Sequence, residues 1–361
     1  MTTIRSAVCV RCPPRWLMLR VETDDGEVGW GEAIGDLHQE VEQALNAIGE
    51  RVEGSPIHDI ARLIEIQRKN RFWRDGPVLE TALSALEMAL WDLKGKLLGA
   101  PIHDLLGGRV RERVRVYRNL WGRNPEEFAD SAKEAMSYSM TAVKVSPAGP
   151  TPDVISRVQL DEMEAVVSAV RDAVGPAVDL AIDLHGRLTP AASRRAIHAL
   201  SKYDPFFIEE PCLPDGSASH LADLRALRTA QPVAIATGER LRSAHAFAEH
   251  LLPSPVVDII QPDVSMVGGI RASVEIGAMA SAAQVAMAPH CPYGPIQFAA
   301  SMQVAATSPA HLIQEFQSLG GAGAGGGTPG GGQNWAFECL SQPFVIESGH
   351  VEISSRPGLG I

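Results

Sequence analysis

Ile182-Asp183-Leu184-His185, Ile208-Glu209-Glu210-Pro211 and Thr237-Gly238-Glu239-Arg240 decide the fold of this chain. Each closes a short apolar run with polar residues, and the runs recur at a fixed interval. Their centres fall near Leu180, Phe207 and Ala234, 27 residues apart. Outward from them the pattern continues in both directions, to runs centred near Val116, Val143, Ile259, Ala286 and Ile313. From Val116 onward the steps are 27, 37, 27, 27, 25, 27 and 27 residues. Alanine-rich amphipathic stretches, such as Leu160 to Val174 and Arg271 to Ala283, fill many of the gaps. Strand–helix alternation at this spacing, eight times over about 200 residues, predicts a parallel barrel rather than an open sheet.

The residues before the barrel read differently. Arg15 to Thr23 and Glu27 to Ala33 flank Asp24-Asp25-Gly26, a turn signal that predicts a hairpin. A helix is expected from about Val78 to Leu98, with leucines at 79, 83, 86, 90, 93 and 97 on one face and Gly99 and Pro101 ending it. These elements predict an α+β module over residues 1–112 and a barrel over residues 113–318. In residues 319–361 a run from Gly320 to Gly332 is nearly all glycine and alanine. No Gly-Lys-Ser/Thr follows it, so a connecting loop or lid is expected rather than a phosphate cradle. Phe344-Val345-Ile346 and Val351-Glu352-Ile353 read as strands in the tail.

Composition narrows the function. Lys and Arg number 32 against 43 Asp and Glu, a net charge of -11, which argues against nucleic acid as a partner because phosphate binding needs a cationic surface. No apolar run reaches the roughly 20 residues of a membrane span, and the start of the chain lacks a secretory apolar segment. The five scattered cysteines suit a reducing, cytoplasmic setting, and Cys9-Val-Arg-Cys12 reads as two ordinary thiols in a strand.

Barrel enzymes place their chemistry at the C-terminal ends of the strands. Here, from the third strand of the series to the eighth, each end carries a residue capable of metal binding or acid–base work. Asp183, Glu209 and Glu239 come from three neighbouring strands, and three carboxylates form a hard-oxygen site that favours Mg²⁺ over zinc or copper. The competing reading is a buried ion network with Lys144, Arg187 or Arg240. Strand alternation sends Glu209 and Glu210 to opposite sides, so one of them faces the metal. Asp263 and His290 end adjacent strands, and a carboxylate beside an imidazole makes a general base. His185, two residues beyond Asp183, is placed across the metal as a general acid. Glu315 is suited to a substrate carboxylate only if protonated. Lys144 and Ser146 are further candidates for substrate binding, and Arg74 and His38 for reaching distal hydroxyls from the first module.

These residues resemble the enolase superfamily, mandelate racemase/muconate lactonizing enzyme group. The likeness spans nearly the whole chain, through Pro13-Pro14-Arg15-Trp16, Gly29-Trp30-Gly31-Glu32, Ala89 to Lys96, Asp183 to Arg187, Phe207 to Pro211, Gln261-Pro262-Asp263 and, most specifically, Met287 to Ile296. The resemblance implies a (β/α)₇β modified TIM barrel under an α+β capping domain, with the tail returning to the cap. It also implies one Mg²⁺ on Asp183, Glu209 and Glu239, which favours Glu209 over Glu210. His290 with Asp263 becomes the base and His185 the acid, in keeping with the histidine base and Mg²⁺ established for enolase-superfamily sites. A homo-oligomer acting on a small sugar acid is implied as well.

The group's racemases carry Lys-x-Lys on the second barrel strand, whereas this chain has Lys144-Val145-Ser146, so racemisation through a second lysine is not expected. The expected reaction is dehydration of an aldonate or aldarate to a 2-keto-3-deoxy acid through an enediolate. An epimerase or cycloisomerase using the same enediolate is the alternative. A binding or structural role without chemistry fits poorly with a complete set of metal and acid–base residues. Metal-dependent hydrolases usually show His-x-His on the first barrel strand, where this chain has Tyr117-Arg118-Asn119.

Overall fold

The computed structural model describes residues 2–13, 15–214, 218–316 and 339–361. The cap begins with an antiparallel sheet of β1 (Ile4–Cys12), β2 (Trp16–Thr23) and β3 (Val28–Ala33) in the order β1-β2-β3. The β2–β3 hairpin forms as expected, but in its turn only Gly26 has positive φ. Helices α1 (His38–Val52) and α3 (Pro77–Leu98) cover the sheet, α2 (Ile60–Lys69) packs on α3, and a short helix α4 (Ile102–Leu105) follows. Gly99 caps α3 in the left-handed region. The expected single leucine face on α3 is too narrow. Its residues are buried nearly all round from Glu80 to Leu90, because the helix is clamped between the cap sheet and the barrel. Gly31 shows how tight this packing is: a Cβ there would lie 1.8 Å from the carbonyl oxygen of Ala85.

The barrel alternates strands and helices throughout. In order come β4 (Arg113–Asn119), α5 (Pro125–Ser137), β5 (Ala142–Val145), α6 (Arg157–Val174), β6 (Asp179–Asp183), α7 (Pro190–Leu200) and β7 (Ile208–Glu209). Then follow α8 (Ala218–Ala230), β8 (Ile235–Thr237), α9 (Ala244–Leu251), β9 (Ile259–Ile260), α10 (Ile270–Ala282), β10 (Ala286–Met287), α11 (Pro295–Thr307) and β11 (Gln314–Phe316). Five strands contain their expected centres, and β7, β8 and β11 begin one residue after Phe207, Ala234 and Ile313. Neighbouring strands from β4 to β10 pair in parallel, β11 pairs with β4, and a bridge from Met287 to His311 closes the ring. Eight parallel strands with seven intervening helices define the (β/α)₇β barrel. In the tail, β12 (Ile346–Glu347) and β13 (His350–Glu352) form a hairpin, and β13 pairs antiparallel with β4. The chain then meets the cap, where the backbone N–H of Leu359 donates to Asp92 of α3. The glycine-rich run 320–332 lies outside the described residues.

The barrel interior explains where function can sit. Its apolar layer takes one residue per strand: Tyr117, Ala142, Ala181, Phe207, Ala236, Ile259, Ala288 and Ile313. Strand side chains repeat with period two. Two residues further along, at the C-terminal ends, the same face therefore presents Asn119, Lys144, Asp183, Glu209, Gly238, Gln261, His290 and Glu315.

Candidate active site

In this polar layer the carboxylates are held by cations and backbone donors. Lys144 Nζ is buried, 2.8 Å from Glu209 Oε1 and 3.1 Å from Glu315 Oε1, with Asp183 Oδ2 at 3.9 Å. Burial opposes the charge on Lys144, but Glu209 and Glu315 outweigh it and hold the lysine protonated. His185 Nε2 lies 2.8 Å from Asp183 Oδ2, and its backbone N–H donates to Oδ1. Burial alone would raise the Asp183 pKa, yet Lys144 and His185 bring it below the ordinary range. Ser146 Oγ donates to the same carboxylate at 3.4 Å. Glu209 and Glu239 are pushed up by burial, and for both the negative charge of Asp183 adds to the effect.

Glu239 reaches the layer because its predecessor has no side chain. Gly238 has φ +138, and a Cβ there would meet the Phe247 ring at 2.8 Å and Gln261 N at 2.9 Å. The Glu239 carboxylate stands 3.0 Å from Arg240 Nη2 and 3.4 Å from His290 Nε2. Glu210 departs from simple alternation: at φ 42 it leaves the extended backbone. Its buried carboxylate accepts from Thr237 Oγ1 at 2.5 Å, Gly238 N at 3.0 Å and Arg240 Nε at 3.3 Å. It therefore pins the turn that carries Glu239, while Glu209 lies on Lys144.

Asp263 and His290 meet as expected, with 2.8 Å between Nδ1 and Oδ2. The carboxylate can only accept, so Nδ1 carries the proton and Nε2 faces the carboxylate cluster. Burial works against a charge on His290, but Glu239, Glu315 and Asp263 together push its pKa up to about 10. For Glu315, burial favours protonation and is outweighed by Lys144 and His290, so the carboxylate is ionised. Its oxygens take Asn119 Nδ2 and Cys291 N at 2.6 Å each, so it anchors the layer.

The cap closes over this layer through buried glutamates and short loops. Glu32 accepts from Ile296 N at 3.1 Å and Gln297 N at 2.9 Å, and Glu87 accepts from Ile270 N at 2.7 Å and Arg271 N at 3.0 Å. Each thus satisfies the free N–H groups at the start of a barrel helix, where a negative charge is favoured. Arg15 donates to Pro292 O, and Tyr293 Oη donates to Asp36 Oδ2 at 2.7 Å. His38 lies two residues from Asp36 and contacts Gly35 O. Arg74 bonds back to Arg71 O and lines a cleft of about 960 Å³ beside the polar layer, between the cap and the α9 and α10 side of the barrel. Of the two cap candidates, His38 opens α1, two residues beyond the Asp36 that Tyr293 reaches, and Arg74 lines the lateral cleft.

The Mg²⁺ expectation meets a mixed geometry. Among the described residues no group of three or more His, Cys, Asp or Glu stands in a metal-holding arrangement, because Asp183, Glu209 and Glu239 are drawn onto His185, Lys144 and Arg240. The donor set nevertheless suits a hard divalent cation. It is all carboxylate oxygen, and among the described residues the cationic side chains paired with Asp183, Glu209, Glu210, Glu239, Asp263 and Glu315 are Lys144, Arg240, His185 and His290. Sequence reasoning missed Asn119, Gln297 and the anchoring role of Glu87. A glutamate amid Leu86, Met88 and Ala89 was the available signal, since a buried charge needs a partner.

A capped (β/α)₇β barrel with a carboxylate cluster beside a His–Asp pair defines an enzyme class. The comparisons agree: residues 127–361 match the family described as enolase C-terminal domain-like, and residues 3–107 match the mandelate racemase/muconate lactonizing enzyme N-terminal domain. The chain belongs to this enolase-superfamily group. It is 36% identical over 357 residues to a D-gluconate dehydratase of Thermoproteus tenax, covering 96% of this chain and 68% of the relative. It is 35% identical over 355 residues to a D-galactonate dehydratase of Variovorax paradoxus, covering 97% and 89%. A mandelate racemase/muconate lactonizing enzyme structure from a Sulfitobacter species superposes with a TM-score of 0.85 at 29% identity, covering 100% of this chain and 91% of the other.

Proposed function

We propose that this enzyme is a Mg²⁺-dependent dehydratase that converts a D-galactonate-like aldonate, or an aldarate, to a 2-keto-3-deoxy acid. The observation that carries the reading is the His290–Asp263 pair, with Nδ1 on Asp263 and Nε2 turned to Glu239, 3.4 Å away. The dehydratase names of the relatives support the reaction class. Asp183, Glu209 and Glu239 would hold the metal, which when bound supplies Lewis-acid neutralisation of the substrate carboxylate. Charge on that cluster then no longer belongs to His290 alone, which favours the neutral base. His290 Nε2 takes the α-proton, giving the enediolate, while Asp263 keeps Nδ1–H in place. His185, favoured as imidazolium because Asp183 outweighs its burial, delivers a proton to the departing β-hydroxyl. Lys144, held on Glu209 and Glu315, and Ser146 bind the carboxylate end of the substrate, and His38 reaches the distal hydroxyls.

Assembly of the chain into a homo-oligomer is part of the proposal; Phe72 and Trp73, 88% and 82% exposed on the cap loop, are the residues it would cover. No helix among the described residues is long and apolar enough to cross a membrane. The test is a screen of aldonic and aldaric acids with and without Mg²⁺. A semicarbazide-reactive keto acid lighter than its substrate by one water is expected. An isomer of unchanged mass would replace dehydration with epimerisation or cycloisomerisation, and equal turnover in the presence of a chelator would remove the metal.

A further inference from the structure

Gln297 is a fully buried amide in an otherwise apolar stretch of α11, between Ile296 and Phe298. Its Nε2 donates to Asp263 Oδ1 at 2.7 Å, and its Oε1 accepts from Tyr293 N at 3.0 Å. Neither contact survives a flipped amide, since a carboxylate only accepts and a backbone N–H only donates. Asp263 Oδ1 also takes Ser265 N at 2.7 Å, and Oδ2 takes His290 Nδ1. The carboxylate is thus gripped on both oxygens, and Gln297 supplies the one side-chain donor to Oδ1 among the described residues. Gln297 is itself held, because its backbone N–H lies on Glu32 of the cap. Tyr293, whose N–H it accepts, is tied to the cap through Asp36.

We propose that Gln297 is a positioning residue for the base: it fixes the Asp263 carboxylate and, through it, the orientation and tautomer of His290. The inference rests on the reading of His290 and Asp263 as the base. An imidazole hydrogen-bonded to a rotating carboxylate samples several ring orientations, and only one directs Nε2 to the substrate's α-proton. The chain from Glu32 through Gln297 to Asp263 makes that orientation depend on the docked cap.

The experiment compares Gln297→Met, which removes both amide contacts, with Gln297→Glu, which keeps an acceptor for Tyr293 N but places a carboxyl where Asp263 needs an N–H. In both, kcat and α-proton exchange with deuterated solvent should fall about tenfold to a hundredfold. That is part of the roughly 10²–10⁴-fold that a positioned base contributes. KM should change little, and the isotope effect with α-deuterated substrate should rise as proton removal becomes limiting. A rise in KM with an unchanged isotope effect, or loss of the folded state in both variants, would make Gln297 a packing residue and overturn the proposal. His290→Asn serves as the control. If it still exchanges the α-proton, the base reading itself fails; if it does not while the Gln297 variants exchange at the wild-type rate, only the present inference fails.

Discussion

Glu32 gives the junction of cap and barrel a pH dependence of definite sign. Its carboxyl is buried where β3 meets the start of α11, and burial pushes its pKa up to about 8, even though backbone N–H groups of Gln297, Ile296 and Gly294 favour the anion. The same group has an ordinary value of 4.5. Folding therefore takes up a proton between these values. The stabilisation is complete below pH 4.5 and is lost as pH rises through about 8. At about 1.36 kcal/mol per pKa unit the whole effect is on the order of 5 kcal/mol, of which about 4 kcal/mol disappears between pH 5 and 8.5. Glu32→Gln cannot titrate, but its carbonyl still accepts the helix N–H groups. In urea denaturation at both pH values, the wild type should lose about 4 kcal/mol more than the variant on going to pH 8.5. Parallel losses in the two proteins would refute the reasoning.

Other expectations follow from the packing and the charge layout. Glu239→Gln should weaken Mg²⁺ binding by roughly tenfold or more and abolish turnover, read by calorimetry and a keto-acid assay. It should leave the melting temperature intact, because the carboxylate it removes is already disfavoured by burial and by Glu210 and Asp183. Gly31→Ala should cost about 3 kcal/mol in a urea titration, since the new Cβ meets the backbone of α3 and no side chain can yield. His38→Ala should change the ranking of sugar acids in the screen, and Arg74→Met should leave it unaltered; the opposite pattern would move substrate recognition into the lateral cleft.

The barrel was legible because each strand had to bury one apolar residue of the interior layer, and the interval between strands is set by the helix that returns the chain. The same period of two made Lys144, Asp183, Glu209, His290 and Glu315 readable, each two positions beyond an interior residue. Spacing could not say what Glu210 does, because β7 ends at Glu209 and the backbone turns beyond it, putting Glu210 on Thr237, Gly238 and Arg240. Gln297 and Glu87 were hidden for another reason. Each acts on a partner from a distant part of the chain, Asp263 and the start of α10, and such pairings leave no spacing in the sequence. The leucine periodicity of α3 reported one face, and the burial of the others by the cap sheet and the barrel is something no single periodicity reports.

The central claim is that His290 removes the α-proton and His185 serves the leaving hydroxyl. The measurement that tests it most directly is NMR-monitored exchange of the substrate's α-proton in deuterated solvent, made on His290→Asn and His185→Asn after calorimetry has shown that both still bind Mg²⁺. The account predicts neither exchange nor keto acid from His290→Asn. From His185→Asn it predicts exchange without elimination, as His290 removes the proton and returns a deuteron to the same face. Exchange retained in His290→Asn and lost in His185→Asn would contradict it, making His185 the base.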